Sequence, residues 1–164
     1  MCIRDRSRTI NGSGHHDVIR KIAKFCEMTG KNMDSINILL IGLSFKGVPE
    51  TSDIRESVAT KLVKVLPKAS NIRIKDFVVN KEEIAALGCQ PVEDLMSGFK
   101  GADVALLMNN HPLNNRFNIT EAFRLMDSPF MIFDGWNMLN QQQIESFPGA
   151  YYATLGYISD RKSV

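Results

Sequence analysis

The sequence predicts an α/β fold in which an open parallel sheet carries helices on both faces, preceded by the end of a connecting helix. Apolar runs at residues 36–43 and 102–108 are bounded by polar residues, which is typical of strands buried on both faces. Segments with helical spacing alternate with these strands, and the connections between them are a few residues long. This alternation is typical of right-handed βαβ units and predicts a Rossmann-like arrangement.

The individual elements follow from apolar spacing and from the residues that end them. The first helix has its apolar side chains on one stripe, and Gly30 suits its carboxyl end. Pro67 ends the second helix. The predicted strands cover residues 36–43, 72–78, 102–108, 130–134 and 151–155, and the predicted helices cover residues 15–29, 57–66, 81–87, 92–99, 119–126 and 140–147.

Composition excludes several classes of protein. The chain has 164 residues, enough for one domain, with 44% hydrophobic and 23% charged residues, as in globular proteins. Its apolar runs are too short to span a bilayer, and its formal charge of +2 lacks the basic excess of a nucleic-acid binder. The 3 cysteines have no metal-ligand spacing, so we expect no metal site, no disulfide scaffold and a reducing, cytoplasmic location.

The two ends differ from the rest of the chain. Residues 1–6 and residues 160–164 each carry one net positive charge, which leaves the interior neutral. Neither end shows helical or strand periodicity, and no apolar core of a signal peptide follows the first arginines. We predict that both ends are non-native peptides encoded by sequencing-adapter DNA. A pair of ordinary polar tails is the alternative.

Ligands of open parallel sheets lie beyond the carboxyl ends of the strands. Residues 44–57, the stretch after Asp76, and residues 109–117 and 134–137 are therefore the candidate binding segments. The first strand lacks the three-glycine fingerprint of dinucleotide sites, so we do not expect NAD on this sheet in the usual way. Lys46, Arg55 and a helix N-terminus suit an anionic ligand. Alternatively, Asp53 caps that helix and Arg55 pairs with a neighbour at the surface.

Several motifs, in order along the chain, resemble the UDP-glucose/GDP-mannose dehydrogenase family. Residues 42–46 and 53–57 match the family signature G-x-[AS]-F-K … D-x-R-E-S. The resemblance extends over residues 7–159. Its further motifs are R-x-I-N from Arg8, Gly101-Ala102-Asp103, Asn109-Asn110-His111 and Phe133-Asp134-Gly135-Trp136-Asn137. Lys75-Asp76-Phe77 is similar to the family's Y-D-P strand end, and Tyr152 to Tyr157, with Leu155-Gly156 inside it, is similar to its closing Y-x-x-L/I-G.

The resemblance implies that this chain is the UDP-sugar-binding domain of an NAD-dependent UDP-sugar 6-dehydrogenase, an enzyme of polysaccharide biosynthesis that oxidises the sugar C6 alcohol to a uronate. Residues 7–34 would be the end of the central helix, and residues 35–159 the carboxyl-terminal domain. NAD and the catalytic cysteine would belong to missing domains, so the fragment alone should not catalyse. The parent is expected to be a homodimer or higher oligomer. Cys26 and Cys89 are predicted to be structural.

The resemblance also implies individual site residues. Phe45 and Lys46 match positions that meet the sugar and its phosphates, and Arg55 belongs to the same signature. Arg8 matches a position that can reach a neighbouring subunit's ligand. Two alternatives to the family interpretation stay open. The chain could be a free-standing nucleotide-binding or regulatory α/β module without catalysis, or a generic α/β domain whose matches arise by chance.

A second group of site residues lies at the carboxyl end of the predicted strand 130–134. Asp134 and Asn137 align with the family's D-x-R-N, and Trp136 replaces its arginine. That replacement removes a cation and adds a stacking surface, or else provides simple packing. His111 is interpreted either as a phosphate or ribose ligand or as an exposed loop residue.

Overall fold

A computed structural model of the chain describes residues 3–44, 54, 57–67 and 71–159, with side chains from residue 14 onward. Six α-helices and seven strands are found in these residues. The helices are α1 Ile3–Thr29, α2 Val58–Val65, α3 Lys81–Ala86, α4 Leu95–Phe99, α5 Ile119–Leu125 and α6 Gln141–Glu145. The strands are β1 Asn37–Ile41, β2 Asn71–Lys75, β3 Gln90–Pro91, β4 Val104–Leu107, β5 Phe130–Asp134, β6 Ala150–Thr154 and β7 Tyr157–Ile158.

The strands form one sheet in the order β3-β2-β1-β4-β5-β6-β7. The first six are parallel, and β7 pairs antiparallel with β6. Ile38 of β1 lies between Ile72 of β2 and Val104 of β4, so β1 and β4 are neighbours at the centre. The strand order reverses there, which is where open α/β sheets bind ligands. The predicted fold class is confirmed.

The core lies on both faces of the central strands. Ile38 and Leu40 of β1 pack toward α1 and α2, whereas Leu39 and Ile41 pack toward α4, α5 and α6. All four are fully buried. Because successive side chains of a strand point to opposite faces, a strand covered on both faces must be apolar throughout.

Helix α1 closes one face of the sheet. Val18, Ile22 and Phe25 are buried against the core on that face. Lys21 ties the helix to the residue that follows β6, since its Nζ donates to the Leu155 carbonyl at 3.1 Å and pairs with Asp17 at 3.2 Å. No helix among the described residues is both long and apolar enough to cross a membrane.

The structure differs from the sequence prediction at short elements and at the first helix. Strands β3 and β7 and a 3-10 turn at Pro112–Asn115 were not predicted. The helix expected over residues 92–99 begins later, because the Val92 N–H donates to the Ile74 carbonyl of β2 and Asp94 caps α4. Helix α1 begins at Ile3, so residues 3–6 are helical although no periodicity marked them. The origin of the two ends and the division at residues 34 and 35 stay predictions.

Candidate functional site

The segments predicted to bind a ligand meet at the carboxyl edge of the sheet, as far as they are described. This edge has two halves. The polar half follows β1, β2 and β4 and comprises Ser44, Asp76, Phe77, Asn109, His111 and Asn114. The apolar half lies beside the ends of β4, β5 and β6 and consists of a cleft lined by Gly14, Val18, Val58, Met108, Phe133, Gly135, Trp136 and Leu155.

Asp76 holds the turns that leave β1 and β2. Its Oδ2 accepts hydrogen bonds from the N–H groups of Leu43 at 2.7 Å and Ser44 at 3.0 Å. Its Oδ1 accepts from Val78 at 2.7 Å and Val79 at 2.8 Å. In dinucleotide-binding folds an acidic residue near this position accepts a ribose hydroxyl. Here four backbone donors already occupy the carboxylate, and the expectation that NAD does not bind this sheet stays a prediction.

Asn109 locks the loop after β4 onto the end of β1. It is only 1% exposed, and its Nδ2 donates to Ser44 Oγ at 3.0 Å. Its Oδ1 accepts from the His111 N–H at 3.2 Å and from Asn114 Nδ2 at 2.6 Å. Gly42 has a φ of 93°, and a Cβ there would lie 2.5 Å from Asn109 Oδ1. This contact explains why a glycine follows the buried strand.

His111 is buried in the polar half at 4% exposure, so the interpretation of it as an exposed loop residue is wrong. Its ring stacks on Phe77, with the ring centroids 5.5 Å apart. Its Nδ1 accepts from the Leu113 N–H at 3.1 Å and caps the 3-10 turn. The stack joins the loop after β4 to the turn after β2.

The cleft of the apolar half has one aromatic wall. Trp136 is half-buried, and its indole Nε1–H donates to the Met108 carbonyl at 3.1 Å. Gly135 lets the loop after β5 pass close to the end of β4, because a Cβ there would lie 3.0 Å from the Leu107 carbonyl oxygen. Among the described residues that line the cleft, every one is apolar or glycine. The cleft therefore suits an uncharged group.

Asp134 fixes the loop that carries Trp136. It is 1% exposed, and it accepts from the N–H groups of Met138 at 2.9 Å and Leu139 at 2.8 Å. The Tyr152 hydroxyl donates to Asp134 Oδ2 at 3.0 Å. Burial, and then the negative charge of Asp134, raise the pKa of Tyr152, so its phenol stays protonated and keeps donating. These contacts are those of a positioning residue, and the predicted contact of Asp134 with substrate stays a prediction.

The other predicted site residues are placed unevenly. Asn137 lies in the same loop as Trp136, is exposed, and has a left-handed φ of 54°. Phe45, Lys46 and Arg55 lie outside the described residues. Arg8 lies in α1, but its side chain is outside the described part. Asp134 ends β5, Trp136 and Asn137 follow it in the next loop, and the roles of all seven residues stay predictions.

Sequence reasoning missed two residues of the edge. Asn109 was assigned only to a loop motif, although its side chain bonds both Ser44 and Asn114 in the polar half. Tyr152 was read as part of a closing motif, although its hydroxyl reaches Asp134. Asn109 and Ser44 are 65 residues apart, so only the adjacency of β1 and β4 could have paired them.

Burial disfavours the thiolate forms of the two described cysteines. Cys26 and Cys89 are buried and free of disulfides, and burial raises the pKa of both thiols. A thiol with a raised pKa has little thiolate at neutral pH, which suits the structural roles predicted for both. Within the described ranges, no group of three or more His, Cys, Asp or Glu side chains could hold a metal ion.

The UDP binding domain of the UDP-glucose/GDP-mannose dehydrogenase family matches residues 39–141 in a comparison with family profiles. The match covers more than half of the chain and runs from β1 past the Trp136 loop. A search of curated proteins finds no match.

Solved nucleotide-sugar dehydrogenases share the fold. The UDP-D-ManNAc dehydrogenase from Pyrococcus horikoshii matches with a TM-score of 0.72 and 22% identity, over 91% of this chain and 32% of its own. The UDP-N-acetyl-mannosamine dehydrogenase Cap5O from S. aureus matches with a TM-score of 0.66 and 22% identity, over 91% and 32%. The NDP-N-acetyl-D-galactosaminuronic acid dehydrogenase from Methanosarcina mazei Go1 matches with a TM-score of 0.72 and 17% identity, over 87% and 29%. The chain thus spans about a third of the length of these proteins.

Proposed function

The chain belongs to the UDP-glucose/GDP-mannose dehydrogenase family, and from this membership we propose that it is the nucleotide-sugar-binding domain of an NAD-dependent UDP-sugar 6-dehydrogenase. The whole enzyme would oxidise the sugar C6 alcohol to a uronate. One observation carries the proposal: the matched residues 39–141 include the ends of β1, β2, β4 and β5, which build the carboxyl edge. Ligands of such sheets lie at that edge.

The domain's own contribution would be to bind and orient the nucleotide sugar. We propose that Phe45 and Lys46 meet the sugar and its phosphates, that Arg55 supports them, and that Asp134, Trp136 and Asn137 belong to the same substrate-binding site. Because the interior of the chain is neutral, phosphate binding must come from single placed cations and from the N-terminus of α2 rather than from a basic surface. Arg8 would reach the ligand of a second subunit in a homodimer or higher oligomer.

NAD would accept hydride from the sugar C6 when bound by another domain of a longer enzyme. The satisfied carboxylate of Asp76 and the missing glycine fingerprint support this assignment, since neither leaves an ordinary dinucleotide site on this sheet. The raised thiol pKa of Cys26 and Cys89 likewise supports a nucleophile outside the described residues. We expect such an enzyme to work in the cytoplasm and to supply uronates for polysaccharide synthesis.

Calorimetry with UDP tests the proposal. The folded chain should release or absorb heat on titration with UDP and give none with NAD. Lys46→Ala should weaken UDP binding about tenfold, as expected for the loss of one charge-assisted hydrogen bond to phosphate. Lys64→Ala, which removes an exposed cation from the last turn of α2, is the matched control and should leave the affinity unchanged. A folded wild-type chain that gives no heat with UDP would contradict the proposal.

A further inference from the structure

We infer that Lys21 of α1 is a positioning residue of the proposed nucleotide-sugar site, since it docks the helix beside the loop that carries Trp136. The inference rests on the proposed function, because it concerns the site that the carboxyl edge of the sheet would form. Three observations carry it: the place where α1 meets the loop, the contacts of Lys21, and the contacts that fix the other end of the helix.

Helix α1 packs directly beside the Trp136 loop. Gly14 and Val18, one turn apart on the helix, line the same cleft as Gly135, Trp136 and Leu155. The cleft has room for about one water molecule, so a small displacement of the helix changes which atoms surround the indole. The packing of Trp136 therefore depends on where α1 lies.

The helix is intrinsically weak at the point where it reaches the cleft. Gly12 and Gly14 lie within α1, and glycine is unfavourable in a helix interior because it loses the most backbone freedom on folding. Gly14 is buried, but it has no side chain with which to anchor its turn. Contacts from the following turns of α1 therefore decide where this part of the helix lies.

Lys21 makes the polar contact that ties these turns to the carboxyl edge. Its Nζ donates to the Leu155 carbonyl at 3.1 Å, and Asp17, one turn earlier, pairs with the same ammonium at 3.2 Å. The side chains of Lys21 and Asp17 are only 14% and 19% exposed, so water and salt weaken this pair less than an exposed one. Because Leu155 also lines the cleft, the bond joins α1 to a residue that packs in the same cleft as Trp136.

A second lysine fixes the other end of the helix at the opposite edge of the sheet. Lys31 follows α1, and its Nζ pairs with Asp103 Oδ1 at 2.5 Å and donates to the Asp127 carbonyl at 3.1 Å. Asp103 precedes β4 and Asp127 precedes β5, so these contacts lie at the amino edge. The partner of Lys21 lines the cleft, whereas the partners of Lys31 lie across the sheet from it.

Lys21→Met tests the inference, because methionine keeps an apolar stem and loses both the charge and the hydrogen-bond donor. Trp136 is the only tryptophan, so its emission reports the surroundings of the loop directly. The emission maximum should move to longer wavelength, since water reaches the indole when α1 and Leu155 separate. Calorimetry should give a Kd for UDP-glucose that is raised about fivefold. Lys21→Arg keeps the charge and a donor, and it should keep the wild-type emission and Kd.

Lys31→Met is the matched control, because it makes the same substitution at the other end of α1. It should lower the urea midpoint but leave the Trp136 emission unchanged and the Kd for UDP-glucose within about twofold of the wild type. In a Trp136→Ala background, Lys21→Met should likewise change this Kd by less than about twofold, because Lys21 acts through the loop. If Lys21→Met does not fold, Asp17→Asn weakens the hold on the same ammonium and should shift the emission and the Kd in the same direction.

The possible failures are distinguishable. If Lys21→Met folds with an unchanged emission, or with a shifted emission and an unchanged Kd, the inference is overturned and the proposed function stands. An equal rise in Kd for Lys31→Met also overturns it, because lost stability would then be the cause, and so does a full effect in the Trp136→Ala background. If the folded wild-type chain binds neither UDP nor UDP-glucose, the proposed function falls and the inference falls with it, an outcome that is read from the wild type alone.

Discussion

The polar and apolar halves of the carboxyl edge are built from the same kind of strand end, yet they use their side chains in opposite ways. In the polar half, the side chains of Asp76 and Asn109 form hydrogen bonds with other groups of the chain. In the apolar half, Asp134 holds the loop from behind, and Trp136 lines an open cleft. Polar groups whose hydrogen bonds are formed within the chain make a rigid support, whereas unfilled apolar volume leaves room for a ligand.

This difference also bears on the size of the ligand. A dinucleotide on a sheet of this order extends over the strand ends on both sides of the switch point. Here the His111–Phe77 stack and the Asn109–Ser44 bond join the chain across the ends of β4, β1 and β2. These contacts therefore disfavour a dinucleotide laid across the ends of β4, β1 and β2.

The largest expected effect breaks the support of the polar half. Asp76→Ala removes the acceptor of four backbone N–H groups, in turns that leave two different strands. We expect the free energy of unfolding to fall by about 3 kcal/mol, because unsatisfied backbone donors must find water or distort the turns. Urea denaturation followed by circular dichroism measures this loss.

Asp94→Ala is the matched control for Asp76→Ala. Asp94 accepts a single backbone hydrogen bond, from Ser97 at 3.3 Å, at the start of α4. Its loss should cost about 1 kcal/mol, which is the usual effect of removing a helix N-cap. Equal losses for the two variants would show that Asp76 is an ordinary cap and would remove the contrast between the halves.

Gly42→Ala tests the packing of the polar half with a smaller expected effect. The added Cβ would meet Asn109 Oδ1 at 2.5 Å, at a residue whose φ of +93° already disfavours a side chain. We expect a loss of about 2 kcal/mol in the free energy of unfolding, from backbone strain and crowding together.

Gly30→Ala separates these two causes. Gly30 has a similar φ of +79°, but nothing lies within 4 Å of a Cβ built there. Backbone strain alone should therefore cost about 1 kcal/mol at Gly30. Thermal or urea unfolding of both variants gives the difference, which measures the crowding by Asn109, and a difference of zero would mean that Asn109 yields freely.

Much of the fold could be predicted because the central strands are buried on both faces. β1, β4 and β5 are continuous apolar runs, and Ser57, Asn80, Asn118 and Asn140 cap helices that the spacing predicts. β3 and β7 have two residues each, which is too short to show a period. They form because neighbouring strands offer unpaired backbone groups, which is a tertiary effect.

The place of the candidate site could be predicted, but its contacts could not. The rule about carboxyl ends located the segments, since it depends only on the strand direction. The polar residues around His111 in the sequence suggested exposure. Its ring is buried because it stacks on Phe77, which belongs to another loop. The contact of Tyr152 with Asp134 likewise spans two strands.

The smallest expected effect concerns the support behind the apolar half. Tyr152→Phe removes the hydroxyl that donates to Asp134 Oδ2, while the Leu139 N–H still donates to that oxygen. The free energy of unfolding at neutral pH should fall by about 1 kcal/mol, as for one buried hydrogen bond. The Trp136 emission should broaden or shift, because the loop loses one of its three anchors on Asp134.

The same variant has a pH signature that a merely structural loss would not produce. Burial and Asp134 raise the pKa of Tyr152 in the folded chain above its ordinary value of 10.0. The unfolded chain therefore releases this proton first, so the stabilisation is complete below pH 10 and is lost above it, at about 1.4 kcal/mol per pH unit. Tyr152→Phe lacks this loss, and its unfolding free energy should converge with that of the wild type near pH 11. Parallel curves for wild type and Tyr152→Phe would refute the assigned contact.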